Sequence, residues 1–330
     1  MPILTLAHLS DPHLGPLPAA SACDLLSKRI TGFLSWRLKR SKIHRPEVLA
    51  LLAESLKRLA PDHIVVTGDL VNISLPDEFI RARDWLRSLA TADRMTIIPG
   101  NHDSYVAMPW ASSIGLWAEF MSGRHGDLSA PERPTQDYLD FPFVRMIGDI
   151  ALIGTSTALP TLPFAATGRL GTEQINRLER CLNDLGAARK CRVVLIHHPP
   201  FAGGAYRRKS LTDSVAFQDA IARAGCELIL HGHTHVSGLT RLATPFGYAP
   251  VIGVPSASAL PSGHKDPARF HLYRFERNTG GWGLTVDVHE LAPDCTGFLA
   301  QGSMAMSLGS VLSSTRSAEL TESDAMTANR

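Results

Sequence analysis

The sequence contains little cysteine: five residues among 330, far apart along the chain and without a C-x-x-C pair. An odd number of scattered cysteines argues against a disulfide framework and against a zinc site built from thiolates. We therefore expect reduced, mostly buried thiols and a cytoplasmic protein.

The sequence also lacks an excess of charge of either sign and any long apolar run. Lysine and arginine number 33 and aspartate and glutamate 31, so the net charge of +2 gives no reason to expect a nucleic acid polymer as partner. No apolar stretch approaches the roughly 20 residues that span a bilayer. The first residues, MPILTLAHLSD, contain no basic leader that would indicate a signal peptide. An apolar fraction of 44% nevertheless allows a large core.

Short apolar runs that end in polar residues recur along the chain. They are LTLAHLSD (4–11), HIVVTGD (63–69), MTIIPGN (95–101), RVVLIHHPP (192–200) and ELILHGHTH (227–235). Segments with helical periodicity lie between most of them, at 46–60, 76–91, 171–186 and 212–224. Strands that alternate with helices predict a largely parallel sheet buried on both faces.

A second group of predicted strands follows one another through turns, at 143–147, 150–156, 237–243, 250–255, 269–276 and 282–291. We therefore predict an α/β fold: a four-layer α/β/β/α sandwich of two mixed sheets flanked by helices. The predicted domain covers residues 1–295, with a basic insertion at about 25–46 and a loop insertion at about 104–142. Residues 296–330, rich in Ser, Ala, Thr and Met, are expected to form a low-complexity, loosely attached tail.

The carboxyl ends of the apolar runs carry oxygen and imidazole ligands that suit metal ions. The candidate ligands are Asp11, His13, Asp69, Asn101, His197, His233 and His235. Because the carboxyl ends of parallel strands meet in one crevice, we expect these side chains to converge. The mixed nitrogen and oxygen set favours Mn, Fe, Zn, Co or Ni over Ca or Mg. Seven ligands suffice for two ions about 3.5 to 4 Å apart if Asp69 bridges them.

The ordered set D-x-H, G-D, G-N-H-D, H-x-P and G-H-x-H resembles the calcineurin-like metallophosphoesterase superfamily over residues 4 to about 260. The nearest branch that it resembles is that of the bacterial class III cyclic-nucleotide and glycerophosphodiester phosphodiesterases. The resemblance implies two ligand sets that share Asp69: Asp11, His13 and His235 on one ion, and Asn101, His197 and His233 on the other.

The same resemblance implies catalytic residues. His102 would hydrogen-bond to the phosphoryl group or protonate the leaving alkoxide, and Asp103 would orient His102. The chain departs from the family pattern at Asn72, where an acid is common, and in the expanded segment between His13 and Asp69. Neither departure touches a proposed ligand, so both bear on the choice of substrate and leave the metal chemistry unchanged.

Further residues are candidates for substrate binding. His198 either contacts substrate or is a core histidine, and the two interpretations have equal weight. Arg207 and Arg208, followed by Lys209, come after the His197 strand in a loop at the same sheet edge, where they would either meet substrate phosphate or be solvated. The histidines in the late predicted strands, His271 and His289, are expected to be structural.

Residues 25–46, LLSKRITGFLSWRLKRSKIHRP, carry seven lysines or arginines and no acid, interleaved with Ile, Phe, Leu and Trp. A basic amphipathic helix of this kind favours contact with an anionic membrane or with a lipid-bearing substrate. The alternative is a surface helix that packs its apolar side on the domain. No nucleic-acid recognition motif accompanies the basic stretch.

Three hypotheses for the function follow. The leading one is a phosphodiesterase that uses two divalent or trivalent metal ions, of Mn, Fe or Zn, and attack by a metal-bridged hydroxide on a cyclic nucleotide or glycerophosphodiester-like substrate. The second is a pyrophosphatase or phosphodiesterase of a nucleotide-linked or phospholipid-like substrate, peripheral at the inner membrane. The third is a non-catalytic scaffold that binds a protein partner, and its metal content would distinguish it from the other two.

Overall fold

The structure, a computed structural model, describes residues 3–126, 128–201, 209–261 and 266–309. Its strands are β1 (Leu4–Leu9), β2 (His63–Val66), β3 (Met95–Ile97), β4 (Ser122–His125), β5 (Arg133–Pro134), β6 (Phe143–Ile147), β7 (Ile150–Gly154), β8 (Cys191–Leu195), β9 (Leu228–His231), β10 (Gly238–Thr244), β11 (Gly247–Gly253), β12 (Arg269–Asn278), β13 (Gly281–Leu291) and β14 (Phe298–Leu308). Its α-helices are α1 (Ala22–Leu25), α2 (Arg29–Ser35), α3 (Ser41–Ile43), α4 (Pro46–Leu59), α5 (Pro76–Leu89), α6 (Thr172–Ala187) and α7 (Ser214–Ala224).

Two mixed sheets form the centre of the molecule. The first has the strand order β14-β13-β12-β1-β2-β3, and the second has the order β10-β11-β9-β8-β7-β6-β4-β5. The strands that alternate with helices pair in parallel, as β1-β2-β3 and β7-β8-β9, whereas the later strands pair mostly antiparallel. The predicted fold class is confirmed.

Alternate residues of β8 show how the layers stack. Val193 and Leu195 belong to one apolar cluster with the first sheet, while Val194 and Ile196 belong to a second cluster with α6 and α7. Because successive side chains of a strand point to opposite faces, the second sheet packs on the first sheet with one face and on helices with the other. The helices α4 and α5 supply buried residues to the first cluster, so they cover the outer face of the first sheet.

The registers bring the carboxyl ends of the parallel strands level with one another. Leu9 lies opposite Val66, which lies opposite Ile97. In the second sheet Gly154 pairs with Leu195, which pairs with Leu230. In each sheet, the loops that carry the candidate ligands therefore begin at the carboxyl ends of neighbouring parallel strands.

The expectation of a loose tail from residue 296 is wrong for its first part. Residues 298–308 form β14, which pairs antiparallel with β13 along its whole length. The apolar pattern did not indicate this strand because it lies at a sheet edge: only Phe298 and Leu308 are buried, and most residues between them are exposed. Residues 310–330 lie outside the described part of the chain.

Both predicted insertions have defined structure. Within 25–46, residues 29–43 form an unbroken helical run in which α2 and α3 flank a π-helical turn at Trp36–Arg40. Within 104–142, Trp117 and Phe120 are fully buried and β4 pairs with β6, so the predicted loop contributes to the second sheet. In the described ranges, no helix combines the length and the apolar character that crossing a membrane requires.

Candidate metal centre

The loops after β1, β2 and β9 place their ligands in an unusual backbone conformation. The φ angles are 52° at Asp11, 42° at His13, 57° at Asp69, 71° at His233 and 57° at His235. Residues other than glycine rarely adopt a positive φ. Those that do cluster at functional sites, where the surrounding structure enforces this conformation. Five of the seven predicted ligands therefore carry a backbone strain that packing alone does not require.

Glycines allow these loops to approach one another closely. A Cβ atom added at Gly100 would stand 2.3 Å from Asp69 Oδ1, and one added at Gly232 would stand 2.5 Å from Asp11 Oδ2. The backbone of the β1 loop is also joined to that of the β2 loop, because the His13 amide donates to the Asp69 carbonyl at 3.1 Å. The glycines of the G-N and G-H motifs thus allow the close approach of these loops, because a side chain at either position would clash with a candidate ligand.

A first group of ligand atoms converges around His13. Its Nε2 lies 3.2 Å from His235 Nε2, 3.9 Å from Asp11 Oδ1 and 3.8 Å from Asp69 Oδ2. Asp11 Oδ1 is in turn 3.1 Å from His235 Nε2. Two ligand atoms that share an ion at about 2.1 Å lie roughly 3 to 3.4 Å apart, so the separations of His235 Nε2 from His13 Nε2 and from Asp11 Oδ1 suit a common metal.

A second group converges around His197. Its Nε2 lies 3.2 Å from Asn101 Oδ1, 3.5 Å from Asp69 Oδ1 and 3.3 Å from His233 Nδ1. The structure therefore divides the seven predicted ligands into the two sets that the resemblance implied. Asp69 belongs to both, with Oδ2 towards the first group and Oδ1 towards the second.

Backbone carbonyls select which nitrogen each histidine presents. His197 Nδ1 donates to the Thr67 carbonyl at 2.6 Å, and His233 Nε2 donates to the Lys209 carbonyl at 2.9 Å. The opposite nitrogen of each ring then points into the second group as a lone pair. Burial holds the pKa of His233 and of His13 well below the usual range, so both rings are neutral, which is the form that binds metal.

The protein places too little positive charge near the buried carboxylates of the centre to balance their negative charge. Burial, followed by the charge of Asp11, raises the pKa of Asp69 well above its usual range. Two buried acids among neutral imidazoles are unfavourable unless cations lie between them. The donor set, the separations and this charge deficit all fit two metal ions held by the seven residues.

Asp103 has a different role from the one predicted. Its carboxylate accepts hydrogen bonds from the backbone amides of Asp69, Leu70, Val71 and Gly100 at 2.8 to 3.0 Å. Within the described residues no hydrogen bond joins it to His102, so the orientation of that ring by Asp103 stays a prediction that these contacts do not support. Instead, Asp103 ties the Gly100 turn to the Asp69 loop. Burial and the neighbouring Asp69 charge raise the pKa of Asp103 to about 7.

His102 is oriented by the backbone and by aromatic contact. Its Nδ1 donates to the Asn72 carbonyl at 2.5 Å, and its ring stacks on Tyr105 with centroids 5.5 Å apart. Its amide donates to Asp69 Oδ1 at 2.7 Å. The carbonyl at position 72 thus performs the positioning that the sequence assigned to Asp103, and a carbonyl carries no residue-specific pattern.

The structure does not support a substrate contact for His198. The side chain is fully buried, with Nδ1 2.7 Å from Thr157 Oγ1 and Nε2 3.2 Å from the Ala166 carbonyl. Both nitrogens are therefore used within the protein, and the residue supports His197 and His233 from behind. Arg207 and Arg208 lie outside the described residues. His271 is buried beside Tyr273, and its hydrogen bond to the Tyr273 hydroxyl agrees with its predicted structural role.

Two residues that the sequence did not assign to the site belong to it. His44 lies beside the first group, with its ring centroid 4.6 Å from that of His13 and its Nδ1 2.9 Å from Ser258 Oγ. Arg40 reaches His13 with Nη2 at 2.9 and 3.0 Å from the two ring nitrogens, and His102 with Nη1 at 3.2 and 3.3 Å. Equal distances to both nitrogens mean that the guanidinium lies over each ring.

A cavity of about 740 Å³ opens above these groups. Metal-centre residues line one side of it, and the segment 28–44 lines the other with Lys28, Lys39, Arg40 and His44. Phe164 and Lys209 complete the opening. Among the described residues, Asp69 is the only carboxylate in this lining, so with two cations bound the described part of the cavity would be electropositive and would suit an anion.

Comparisons with known proteins agree with this geometry. A probable cyclic nucleotide phosphodiesterase from Synechococcus sp. is 25% identical over 239 residues, which are 70% of this chain and 73% of that protein. The glycerophosphodiester phosphodiesterase GpdQ from Enterobacter lignolyticus is 27% identical over 206 residues, which are 61% of this chain and 59% of that protein.

The crystal structure of a dimetal phosphatase from Danio rerio has the same fold, with a TM-score of 0.51 at 12% identity and coverage of 93% of this chain and 99% of that one. The calcineurin-like phosphoesterase family matches residues 4–237, which include all seven candidate ligands. The resemblance seen in the motifs is thereby confirmed, and the chain belongs to the calcineurin-like phosphoesterase family.

Proposed function

We propose that this protein is a dinuclear-metal phosphodiesterase that hydrolyses a cyclic nucleotide or a glycerophosphodiester-like substrate. The observation that carries the proposal is the Asp69 carboxylate, whose two oxygens face two separate groups of ligand atoms. A carboxylate in this position suits two ions held side by side. The names of the two relatives, both phosphodiesterases, support a diester over a monoester.

The seven ligands would hold the ions, for which Mn, Fe and Zn fit the mixed donor set. When bound, two such ions supply Lewis-acid stabilisation of the phosphoryl charge and lower the pKa of a water nucleophile. The protein contributes the buried, preorganised site: the histidine tautomers are set by carbonyls, and the loops are tied together by Asp103.

His102 contributes a proton. Burial, with the adjacent Arg40 cation, holds its pKa well below the usual range, so the free ring is neutral and its Nε2 is an acceptor. A phosphoryl group in the cavity brings negative charge next to the ring and raises this pKa. Nε2 then takes up a proton from solvent and donates it to the phosphoryl oxygen or to the leaving alkoxide, which returns the ring to its neutral form, while Nδ1 stays bonded to Asn72.

Metal removal and return test the proposal. After chelation we expect no turnover of bis(p-nitrophenyl) phosphate, and after addition of Mn we expect close to two bound equivalents and recovered turnover. Metal content by elemental analysis and release of p-nitrophenolate are the two measurements. Turnover that persists in the chelated protein would contradict the proposal, and a folded protein that takes up no metal would favour the scaffold hypothesis.

Arg40 is the substrate-binding residue that the geometry favours within the basic segment. Its guanidinium contacts both His13 and His102, and no carboxylate lies within ion-pair distance of it among the described residues. Burial lowers the pKa of Arg40, although the group remains charged. A partly buried cation that lines the cavity beside two metal ions favours an anion between them, so a phosphoryl group is its expected partner.

Replacing Arg40 by Ala is expected to raise KM for a phosphodiester and the inhibition constant of inorganic phosphate by about 10- to 100-fold, since a charge-assisted pair contributes roughly 1.5 to 3 kcal/mol. Steady-state kinetics and phosphate inhibition measure these constants, and metal content should stay the same. Arg37→Ala is the matched control, because that residue is exposed on the same π-helical turn. Equal phosphate inhibition in both variants would remove Arg40 from the substrate site.

A further inference from the structure

An exposed apolar stripe runs along the outer side of the basic segment. Leu26, Ile30, Leu34 and Leu38 follow one another at intervals of four residues and are 85%, 41%, 49% and 74% exposed. Ile30 and Leu34 are four residues apart and lie on one face of α2. Leu38 follows in the π-helical turn that continues α2, and Leu26 lies in the turn before it. We call these four exposed side chains the ridge. Single exposed leucines are ordinary on protein surfaces, but a row of this kind marks an interaction site.

The opposite side of the segment is firmly attached to the domain. Trp36 is buried, and a Cβ atom at Gly32 would stand 2.5 Å from the Ile73 side chain. The Arg29 guanidinium donates to the carbonyls of Ile73 and Ser74 at 3.1 and 2.6 Å. These contacts fix the orientation of the segment, so the ridge cannot turn inwards without breaking them.

The charged residues of the segment that carries the ridge are all basic. Arg37, Lys39 and Lys42 are exposed, and residues 25–46 contain no acid. Aliphatic side chains interleaved with lysine and arginine are typical of helices that lie in the headgroup region of an anionic bilayer. A protein partner that covered the ridge would have to match the same cations with a row of acids, whereas an anionic bilayer supplies negative charge without a fixed register.

A neighbouring loop extends this surface to the mouth of the catalytic cavity. Leu162 and Phe164 are 80% and 77% exposed, and Phe164 also lines the cavity. Lys28 joins the loop to the segment, because its Nζ donates to Thr161 Oγ1 at 2.7 Å. The helical segment that carries the ridge and the loop therefore border the same opening, with Lys28, Lys39 and Phe164 in its lining.

We propose that residues 26–42 dock this protein on the surface of an anionic lipid bilayer, with the apolar ridge in the headgroup region. The docking does not depend on the catalytic chemistry. Its consequence rests on the proposed function: the cavity mouth faces phosphodiesters carried by the bilayer, so the substrate is an amphiphile whose phosphodiester headgroup enters the cavity.

Co-sedimentation with vesicles tests the docking. We expect the full chain to bind vesicles of phosphatidylcholine with phosphatidylglycerol, to bind pure phosphatidylcholine far more weakly, and to be released by high salt. Arg37→Gln with Lys42→Gln should weaken binding about thirtyfold, from the loss of two cations at an anionic surface. Leu34→Ser with Leu38→Ser should weaken it about tenfold or more.

The control variant carries Leu139→Ser and Leu299→Ser, two leucines that are 70% and 53% exposed outside the segment, and it should bind as the wild type does. The Leu34/Leu38 variant should keep full turnover of bis(p-nitrophenyl) phosphate, which shows that it is folded. Wild-type protein that stays in the supernatant with anionic vesicles would overturn the docking. So would equal binding by all variants, or a wild-type dimer that the Leu34/Leu38 substitutions dissociate.

The substrate consequence has a separate measurement. Release of headgroup from phosphatidylglycerol vesicles should be slower in the Leu34/Leu38 variant, while turnover of the soluble diester is unchanged. If wild type binds vesicles but hydrolyses neither diester, the proposed function fails and the docking stands. If the wild type hydrolyses only the soluble diester while it is bound to vesicles, the proposal of an amphiphilic substrate is overturned and the proposed phosphodiesterase activity stands.

Discussion

Substitution of Asp69 by Asn is expected to lower kcat/KM for a phosphodiester by on the order of a thousandfold or more. Asparagine has nearly the same shape but carries no charge, and its side chain ends in one oxygen and one nitrogen instead of two oxygens. It can therefore serve the first ligand group or the second, but not both. Metal content should fall from close to two equivalents to one or fewer, as measured by elemental analysis.

Asp93→Asn is the matched control for this change, because that aspartate is exposed and lies just before β3, away from the ligand groups. It should keep the metal content and the activity of the wild type. If Asp69→Asn retained two equivalents of metal and wild-type turnover, the shared carboxylate would have no role in the centre, and the proposed function would lose its main support.

The second large effect concerns stability. Asp103→Ala removes the acceptor of four backbone hydrogen bonds in a buried turn, and each unsatisfied buried amide costs roughly 1 to 3 kcal/mol. We expect the free energy of unfolding to fall by about 4 kcal/mol or more, and the metal affinity to fall with it, because the Asp69 and Gly100 loops are no longer tied together. Urea denaturation of the metal-free and metal-loaded protein measures both effects.

This experiment separates the observed role of Asp103 from the one that the motif implied. If Asp103 acted by orienting His102, its removal would slow turnover and leave stability nearly unchanged. Asp103→Asn gives a graded comparison, because its amide group would present donors to amides that also donate. Wild-type stability in both variants would refute the structural role.

The sequence was sufficient to predict the parts of the fold that rest on burial. The five apolar runs had the composition of strands covered on both faces, and the helices α4, α5, α6 and α7 lie within a few residues of their predicted bounds. Strand β14 was missed because an edge strand is held by backbone hydrogen bonds, which any residue can make. Its many Ala, Gly, Ser and Met residues therefore resembled those of a tail.

The metal centre was predictable for a related reason. An ion accepts only a few ligand types, and parallel strands deliver them at one edge, so Asp11, Asp69 and His197 could be identified from type and position alone. Arg40 could not be identified in this way. It is one of seven cations in its segment, and cations at the surface and cations in a cavity look the same in a sequence.

By itself, then, the sequence determined the fold class, the family and the seven candidate ligands that converge in the structure, because each depends on residue types at positions that a strand-helix alternation brings together. Only the tertiary structure decided that Asn72, through a carbonyl, orients His102, that Asp103 binds amides, and that His198 is enclosed. The physical reason is that these roles depend on which atoms end up within 3 Å of one another. Such distances follow from loop paths and packing, which local residue patterns do not encode.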